Sequence, residues 1–399
     1  MTRVAGAWRV AALATVLFLP GGCARGGGTV VAPFFFPSIV PIAGTPPGTR
    51  VAPVGPVRDQ PVLADALLCA GGDVMLGSNL DTAWARAVHG RASGAALPLP
   101  PPAQLIDPIR PLVDDAAVVL INVEGAIGEG PVSGKCRPGS TRCYQFRQEV
   151  AAAWALRTLS AQGVVVGNVA NNHAMDAGAA GFEATVRHLR EAGVLVTGAD
   201  TLPAVVPLPS GDTLAILGFS TFSAGPDARR LDDVRRHVSR AALRYRFVAV
   251  TVHLGAEGKS AQRTPDARET FAGEDRGNPV AFARAAVESG ASVVFGHGPH
   301  VLRAIEWQGD ALVVYSLGNL LTHGPFTREE PLNRGGFACV RLSRGGGVLW
   351  GELRAIVQQR PGVAFPDPSG RAGHLVDSLS ALDFPHTGAR VTDGIIWRR

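Results

Sequence analysis

Lysine is nearly absent from this 399-residue chain: Lys135 and Lys259 are the only two, and every other member of its 38 basic residues is arginine. That skew, beside abundant alanine and glycine, reads as coding bias rather than a polyanion-binding surface, so the formal charge of +5 carries little weight. Aromatic residues make up 6%, no basic run is interleaved with them and no nucleic-acid motif occurs, which argues against a nucleic-acid partner. There is no CxxC pair and no Cys/His cluster, and with them a structural zinc site is excluded. The N-terminal apolar run, Val10 to Leu19, is half the ~20 residues that a membrane-spanning helix needs.

What is present is the composition of a folded globular protein, 46% apolar and 18% charged. Arg3 and Arg9 ahead of the short apolar run make residues 1–22 an export signal. Cys23 then stands where a bacterial lipoprotein carries its lipid, although Pro20 replaces the usual aliphatic residue three places earlier and Leu19 sits one place further back. A lipid on Cys23 is thus the one membrane attachment the sequence suggests, and the expected location is the cell envelope. Residues 23–61, rich in Pro and Gly, read as a tether, 62–360 as the folded domain and 361–399 as a C-terminal tail where the pattern fades. Cys136 and Cys143 flank a turn-rich polar loop and are expected to form a local disulfide in an oxidising compartment. Cys69 and Cys339 lie in apolar runs and read as core residues.

From about residue 62 short β-branched or apolar runs alternate with helical stretches. Strands are expected at 62–70, ended by Gly71-Gly72, then at 116–121, 164–166, 194–196, 214–217, 247–252 and 292–295. Helices fall between them near 105–113, 149–160, 178–192, 231–244 and 280–289. This α/β order implies a largely parallel sheet with covering helices. Two hairpins come next, 304–315 and 337–356, and predict a second, antiparallel sheet completing a sandwich.

Polar residues recur where these strands end. Asp73 comes after the first, Asn122 and Glu124 after the second, Asn172 and His173 after the third; His253, then His297 and His300, come after later ones. In α/β sheets ligands bind at the carboxyl ends of the strands. Carboxylates, an amide and imidazoles without thiolates suit one or two divalent ions of Mn, Fe, Zn or Co. Any single histidine in this set would be unremarkable; their shared position is what points to a site. Gly258-Lys259-Ser260 is no phosphate loop, since His253 stands where that loop needs glycine.

The segments Gly72-Asp73-Val74-Met75-Leu76-Gly77, Asn122-Val123-Glu124-Gly125, Asn171-Asn172-His173-Ala174-Met175-Asp176, His253-Leu254-Gly255-Ala256-Glu257, Gly296-His297-Gly298-Pro299-His300 and Tyr315-Ser316-Leu317-Gly318-Asn319 occur in the order found in the CapA family of poly-gamma-glutamate capsule synthesis, which the chain resembles. The resemblance spans about residues 65–325. That family is similar to calcineurin-like metallophosphoesterases, so it implies a metallophosphoesterase-like sandwich of two sheets flanked by helices. By position, the resemblance makes Asp73, Glu124, Asn172, His253, His297 and His300 metal ligands, and His173 with Asp176 the acid and its orienting partner. Asn122, Glu257, Ser316 and Asn319 are candidate substrate contacts; Glu257 could instead orient His253 or form a surface ion pair, and Ser316 and Asn319 equally suit turn capping. Two positions depart from the pattern: Met75 replaces a histidine ligand, and Leu254 replaces a tryptophan. The implied function is metal-assisted hydrolysis or transfer on a phosphoester or a polyglutamate amide. The alternative is an accessory that binds polyglutamate or organises its synthesis and export machinery without catalysis.

Overall fold

Gly71 and Gly72 do not end the first strand; they bend it. The computed structural model describes residues 64–78, 100–131, 133–136, 143–326 and 328–399, all within one unit, Asp59–Arg399. The expected export signal, Cys23 and the tether lie outside the described residues. β1 runs through the two glycines as Ala64–Met75. Against its parallel neighbour β2 (Val118–Val123), Ala70 pairs with Leu120, but Asp73 pairs with Asn122, so β1 holds one extra residue there. Such a bulge shifts the side-chain alternation by one and re-aims the residues beyond it. Both glycines are required sterically: a Cβ on Gly72 would lie 2.1 Å from the Gly318 carbonyl oxygen, and one on Gly71 would lie 2.6 Å from a Leu320 methyl.

Two sheets stack face to face. In the first, β1 and β2 continue in parallel to β5 (Val164–Asn168) and β6 (Leu195–Thr197). On the other side of β1 run β15 (Asn319–Thr322), parallel, and β16 (Arg334–Ser343), antiparallel. Beyond β16 come β17 (Val348–Gln359), with β18 (Val363–Pro366) and the hairpin β19 (Arg390–Thr392) and β20 (Ile395–Trp397). The second sheet has parallel β8 (Thr213–Ser220), β9 (Phe247–His253), β12 (Val293–His297) and β14 (Ala311–Val314). Antiparallel β7 (Ala204–Pro207) and β13 (Ile305–Gln308) close its edges. Two short ribbons stand apart: β3 (Ala126–Ile127) with β4 (Arg147–Gln148), and β10 (Thr270–Phe271) with β11 (Glu274–Asp275).

The strands are apolar on both faces because both faces are covered. Between the sheets, Leu68, Ala70, Leu120 and Val166 meet Ile216, Ala249, Phe295 and Val314. The alternate residues of the first sheet, Cys69, Val119, Ile121 and Val165, pack under helices α1 (Pro102–Ile106), α2 (Ala151–Arg157) and α3 (Gly178–Glu191). Those of the second, Val248, Val250 and Val294, pack under α4 (Leu231–Ala242) and α5 (Pro279–Glu288). The two-sheet α/β sandwich is therefore as expected, with three differences. The parallel series is divided between the sheets, and the two hairpins extend separate sheets instead of forming one of their own. Residues 361–399 are no loose tail: β18, helix α6 (Arg371–Asp383) and the final hairpin pack on the sandwich, with Ala372, Val376, Val391 and Ile396 in the inter-sheet core. Cys69 and Cys339, buried as expected, are paired across β1 and β16 and joined as a disulfide; Cys136–Cys143 is joined too.

Candidate metal centre

One polar row crosses each sheet at or near the carboxyl ends of its parallel strands, except at β15, which Asn319 opens. In the first sheet Asn168, Asn122, Asp73 and Asn319 are register partners in turn. In the second, Ser220, His253 and His297 are. The bulge at Gly71–Gly72 brings Asp73 to the face that Leu120 and Asn122 share, toward the second sheet. His300, in the loop after β12, adopts a left-handed φ of 58° and closes on Asp73 from above.

The Asp73 carboxylate is the hub. It accepts from Asn122 Nδ2 at 2.8 Å and lies 2.9 Å from His300 Nδ1, 3.5 Å from His297 Nδ1 and 4.0 Å from His253 Nδ1. Glu124 faces it: Oε1 is 3.6 Å from His300 Nε2 and 3.9 Å from His253 Nε2. Ligand atoms of Asp73, Glu124 and His300 lie within 4.8 Å of one another. Asp73, His253 and His297 are fully buried, yet neither ring nitrogen of His297 makes a hydrogen bond. The same holds for His253 Nε2, Glu124 Oε1 and Asn172 Oδ1. Buried polar atoms left without partners cost about 1–3 kcal/mol each, so a cluster of them at one point is a site prepared for something else.

The electrostatics agree. Burial works against charge at Asp73, but the imidazoles of His297 and His300 hold its carboxyl well below the usual carboxylate range. Burial pushes Glu124 up to about 8. Burial would also keep the His300 ring neutral, but the charges of Glu124 and Asp73 raise it to about 10. His253, buried with the cationic His300 nearby, is held well below its ordinary value. The pocket thus sets the His300 cation beside the ionised Asp73 carboxylate.

Beside this cluster, His173 Nδ1 is 2.6 Å from Asp176 Oδ2, and Asp176 is wholly buried. Burial lowers the proton affinity of the His173 ring, against the opposing pull of Asp176. The backbone N–H of His173 donates to Asn171 Oδ1. Glu257 forms an ion pair, Oε1 accepting from Arg276 at 2.5 Å, and its Oε2 lies 3.7 Å from His300 Nε2. Ser316 caps a turn, accepting from Gly318 N–H at 3.3 Å, and Asn319 Nδ2 donates to the His300 carbonyl at 3.4 Å.

Asn122 does not suit substrate binding. Its amide nitrogen serves Asp73, its oxygen accepts from Asn168 and Asn171 at 3.0 and 3.3 Å, and it is fully buried. It orients Asp73. Met75 supplies no ligand: it is buried against Phe146, with Phe326 packed alongside, and its sulfur accepts from Gly77 N–H. Sequence reasoning missed Asn168, Asn171, Lys135, Phe146 and Arg276. The Asn171-Asn172 doublet and the rarity of lysine were the only signals available for any of these.

The family model described as bacterial capsule synthesis protein PGA_cap matches residues 67–323. The chain is 29% identical over 194 residues to the capsule biosynthesis protein CapA of Bacillus anthracis, 44% of each chain being covered. It is 28% identical over 192 residues to the PGA biosynthesis protein CapA of Bacillus subtilis (strain 168), covering 44% of this chain and 47% of that one. It thus matches less than half the length of these curated relatives. A putative 5'-nucleotidase from Staphylococcus aureus superposes with a TM-score of 0.42 at 11% identity, over 79% of this chain and 58% of the other, a likeness too slight to say anything about chemistry. The matched span runs from β1 to the end of β15 and so contains every residue of the two polar rows; on that span the chain belongs to the bacterial capsule synthesis protein PGA_cap family.

Proposed function

We propose that this chain is an exported, metal-dependent hydrolase or transferase of the cell envelope, acting on an anionic substrate, a phosphoester or a polyglutamate amide, alongside capsule synthesis machinery. The observation that carries this reading is the set of buried, unpartnered atoms on Glu124, His253 and His297 gathered around the ionised Asp73. Oxygen and imidazole donors of this kind fit Mn, Fe, Zn or Co, one ion or two. Asp73, Glu124, His253, His297 and His300 would hold the metal, with Asn172 contributing its amide oxygen. A divalent cation there supplies Lewis acidity and makes bound water more acidic.

The rest of the chemistry falls to the chain's own groups. Asn122 keeps the Asp73 carboxylate turned into the site. Asp176 accepts from His173 Nδ1–H, which leaves Nε2 as the nitrogen that exchanges a proton with the leaving group. Burial makes the protonated ring a stronger acid. Glu257, braced by Arg276, would contact substrate beside His300. The export signal and a lipid on Cys23 would keep the domain at the outer face of the cytoplasmic membrane; among the described residues no helix is long and apolar enough to cross one. Met75 favours a second reading. With a buried thioether in place of a histidine ligand, the protein could bind polyglutamate without turning it over.

Two substitutions separate the readings. Glu124→Ala should lower metal content, measured by inductively coupled plasma mass spectrometry, and activity with it. His173→Ala should keep its metal while turnover falls by about 10²–10⁴-fold, less on substrates with good leaving groups. If neither change alters any hydrolysis, the accessory reading stands; a wild-type protein that binds no divalent metal at micromolar concentration ends the enzyme reading.

A further inference from the structure

Both limbs of the loop closed by the Cys136–Cys143 disulfide land on Asp176. On the first limb, Ser133 N–H donates to the Asp176 carbonyl at 3.3 Å and Lys135 Nζ donates to Asp176 Oδ1 at 3.0 Å. On the second, Phe146 N–H donates to Asp176 Oδ2 at 2.7 Å, and the Phe146 ring stacks on His173 with centroids 4.0 Å apart. Gln145 ties the limbs together, its Nε2 donating to the carbonyl and the hydroxyl of Ser133, each at 2.5 Å. The disulfide lies between the two limbs, one residue after Lys135 and two before Gln145.

We propose that Lys135 is a positioning residue for the His173–Asp176 pair, and that the Cys136–Cys143 bond is the clip that holds it in place. This rests on the reading of His173 as the proton-transfer group. A carboxylate can turn about its last bond and offer either oxygen. Lys135 Nζ also lies 3.2 Å from His173 Nδ1, but Asp176 Oδ2 is nearer at 2.6 Å and only accepts, so with Lys135 held on Oδ1 the ring keeps its proton on Nδ1 and leaves Nε2 for chemistry. Lys135 also donates to the Asn172 carbonyl at 2.9 Å, so the same ammonium spans the segment from Asn172 to Asp176. A lysine on an unclosed loop would sample many positions; the bond across seven residues confines it to this one.

The test uses the full-length, metal-loaded protein with glycerol 2-phosphate, whose alkoxide leaving group needs a proton, as the probe. Lys135→Met should lower kcat by about tenfold, the usual scale for a group that orients a reacting residue, with KM and metal content unchanged. Lys135→Arg, which keeps the cation and its donors, should recover most of that loss. The pair Cys136→Ser and Cys143→Ser should lower kcat similarly, and adding Lys135→Met to it should bring no further loss. A second arm needs no turnover. In protein carrying ¹⁵N-labelled histidine, Lys135→Met should shift the ring-nitrogen signals of His173 and spare those of surface histidines. Unchanged His173 signals, or kcat losses that multiply instead of overlapping, would overturn the inference. A wild-type protein that ignores the probe, beside a Lys135→Met variant that shows the ring shift, would overturn only the phosphoester reading.

Discussion

Asn122 holds its place by hydrogen bonds at both ends of one amide, and that makes it a sensitive probe of what sits beside Asp73. Replacing it as Asn122→Asp keeps the shape but sets a second carboxylate 2.8 Å from Asp73 Oδ1, where the amide now donates. Without metal the variant should be less stable by about 1–3 kcal/mol, the cost of an unsatisfied buried polar contact. A divalent ion should recover more of that loss than it adds to the wild type, because it would neutralise one more charge. Thermal unfolding with and without Mn²⁺ reads both effects. An equal metal-induced shift in the two proteins would mean that no cation binds next to Asp73. The meeting of Asp73 and Glu124 in one cluster was expected from their motifs, whereas the contacts of Asn122 were not. A motif shows that an amide is present; only the partners at each end show whether it faces a ligand or a neighbour.

Among the elements, β1 decides the site. Gly71-Gly72 reads in sequence as the end of a strand because two glycines weaken one, yet here they form the bulge that turns Asp73 inward. Gly72→Ala should cost about 3 kcal/mol or more, since its Cβ would meet the fixed backbone oxygen of Gly318 and no side chain can move aside. The same change should reduce metal content by displacing Asp73. Urea denaturation and metal analysis check the two halves separately; an unchanged midpoint would mean that β1 is seated differently. Helices α3, α4 and α5 fall within a few residues of their expected limits, because one face of each repeats at helical spacing over the core. The bounds of β1 were harder to foresee, since the bulge depends on what the glycines touch in β15 and β16.

For the whole molecule, the C-terminal residues 361–399 are part of the fold. A chain ending at Arg360 would lose β18, α6 and the β19–β20 hairpin, and would bare the inter-sheet core that Ala372, Val376, Val391 and Ile396 cover. Such a truncation should move to the insoluble fraction on expression, or unfold well below the full chain by calorimetry. A soluble fragment with the same midpoint would restore the view of these residues as a tail. Cys69 and Cys339 belong to the same scale: 270 residues separate them, and only the antiparallel register of β1 with β16 makes them neighbours.

The sequence by itself determined the α/β alternation, the covered strands, the local Cys136–Cys143 pair and the chemical types gathered at the strand ends. These come from short-range periodicity and from motifs a few residues long, which a linear chain displays directly. Tertiary structure decided which sheet each strand joined and therefore which polar rows face each other. It decided that Met75 is buried beside Phe146 and not presented as a ligand, and that Lys135 and Phe146 reach Asp176 from 41 and 30 residues away. Such pairings rest on contacts between segments far apart in sequence, set by register, bulges and packing over the entire sandwich, and no local pattern encodes them.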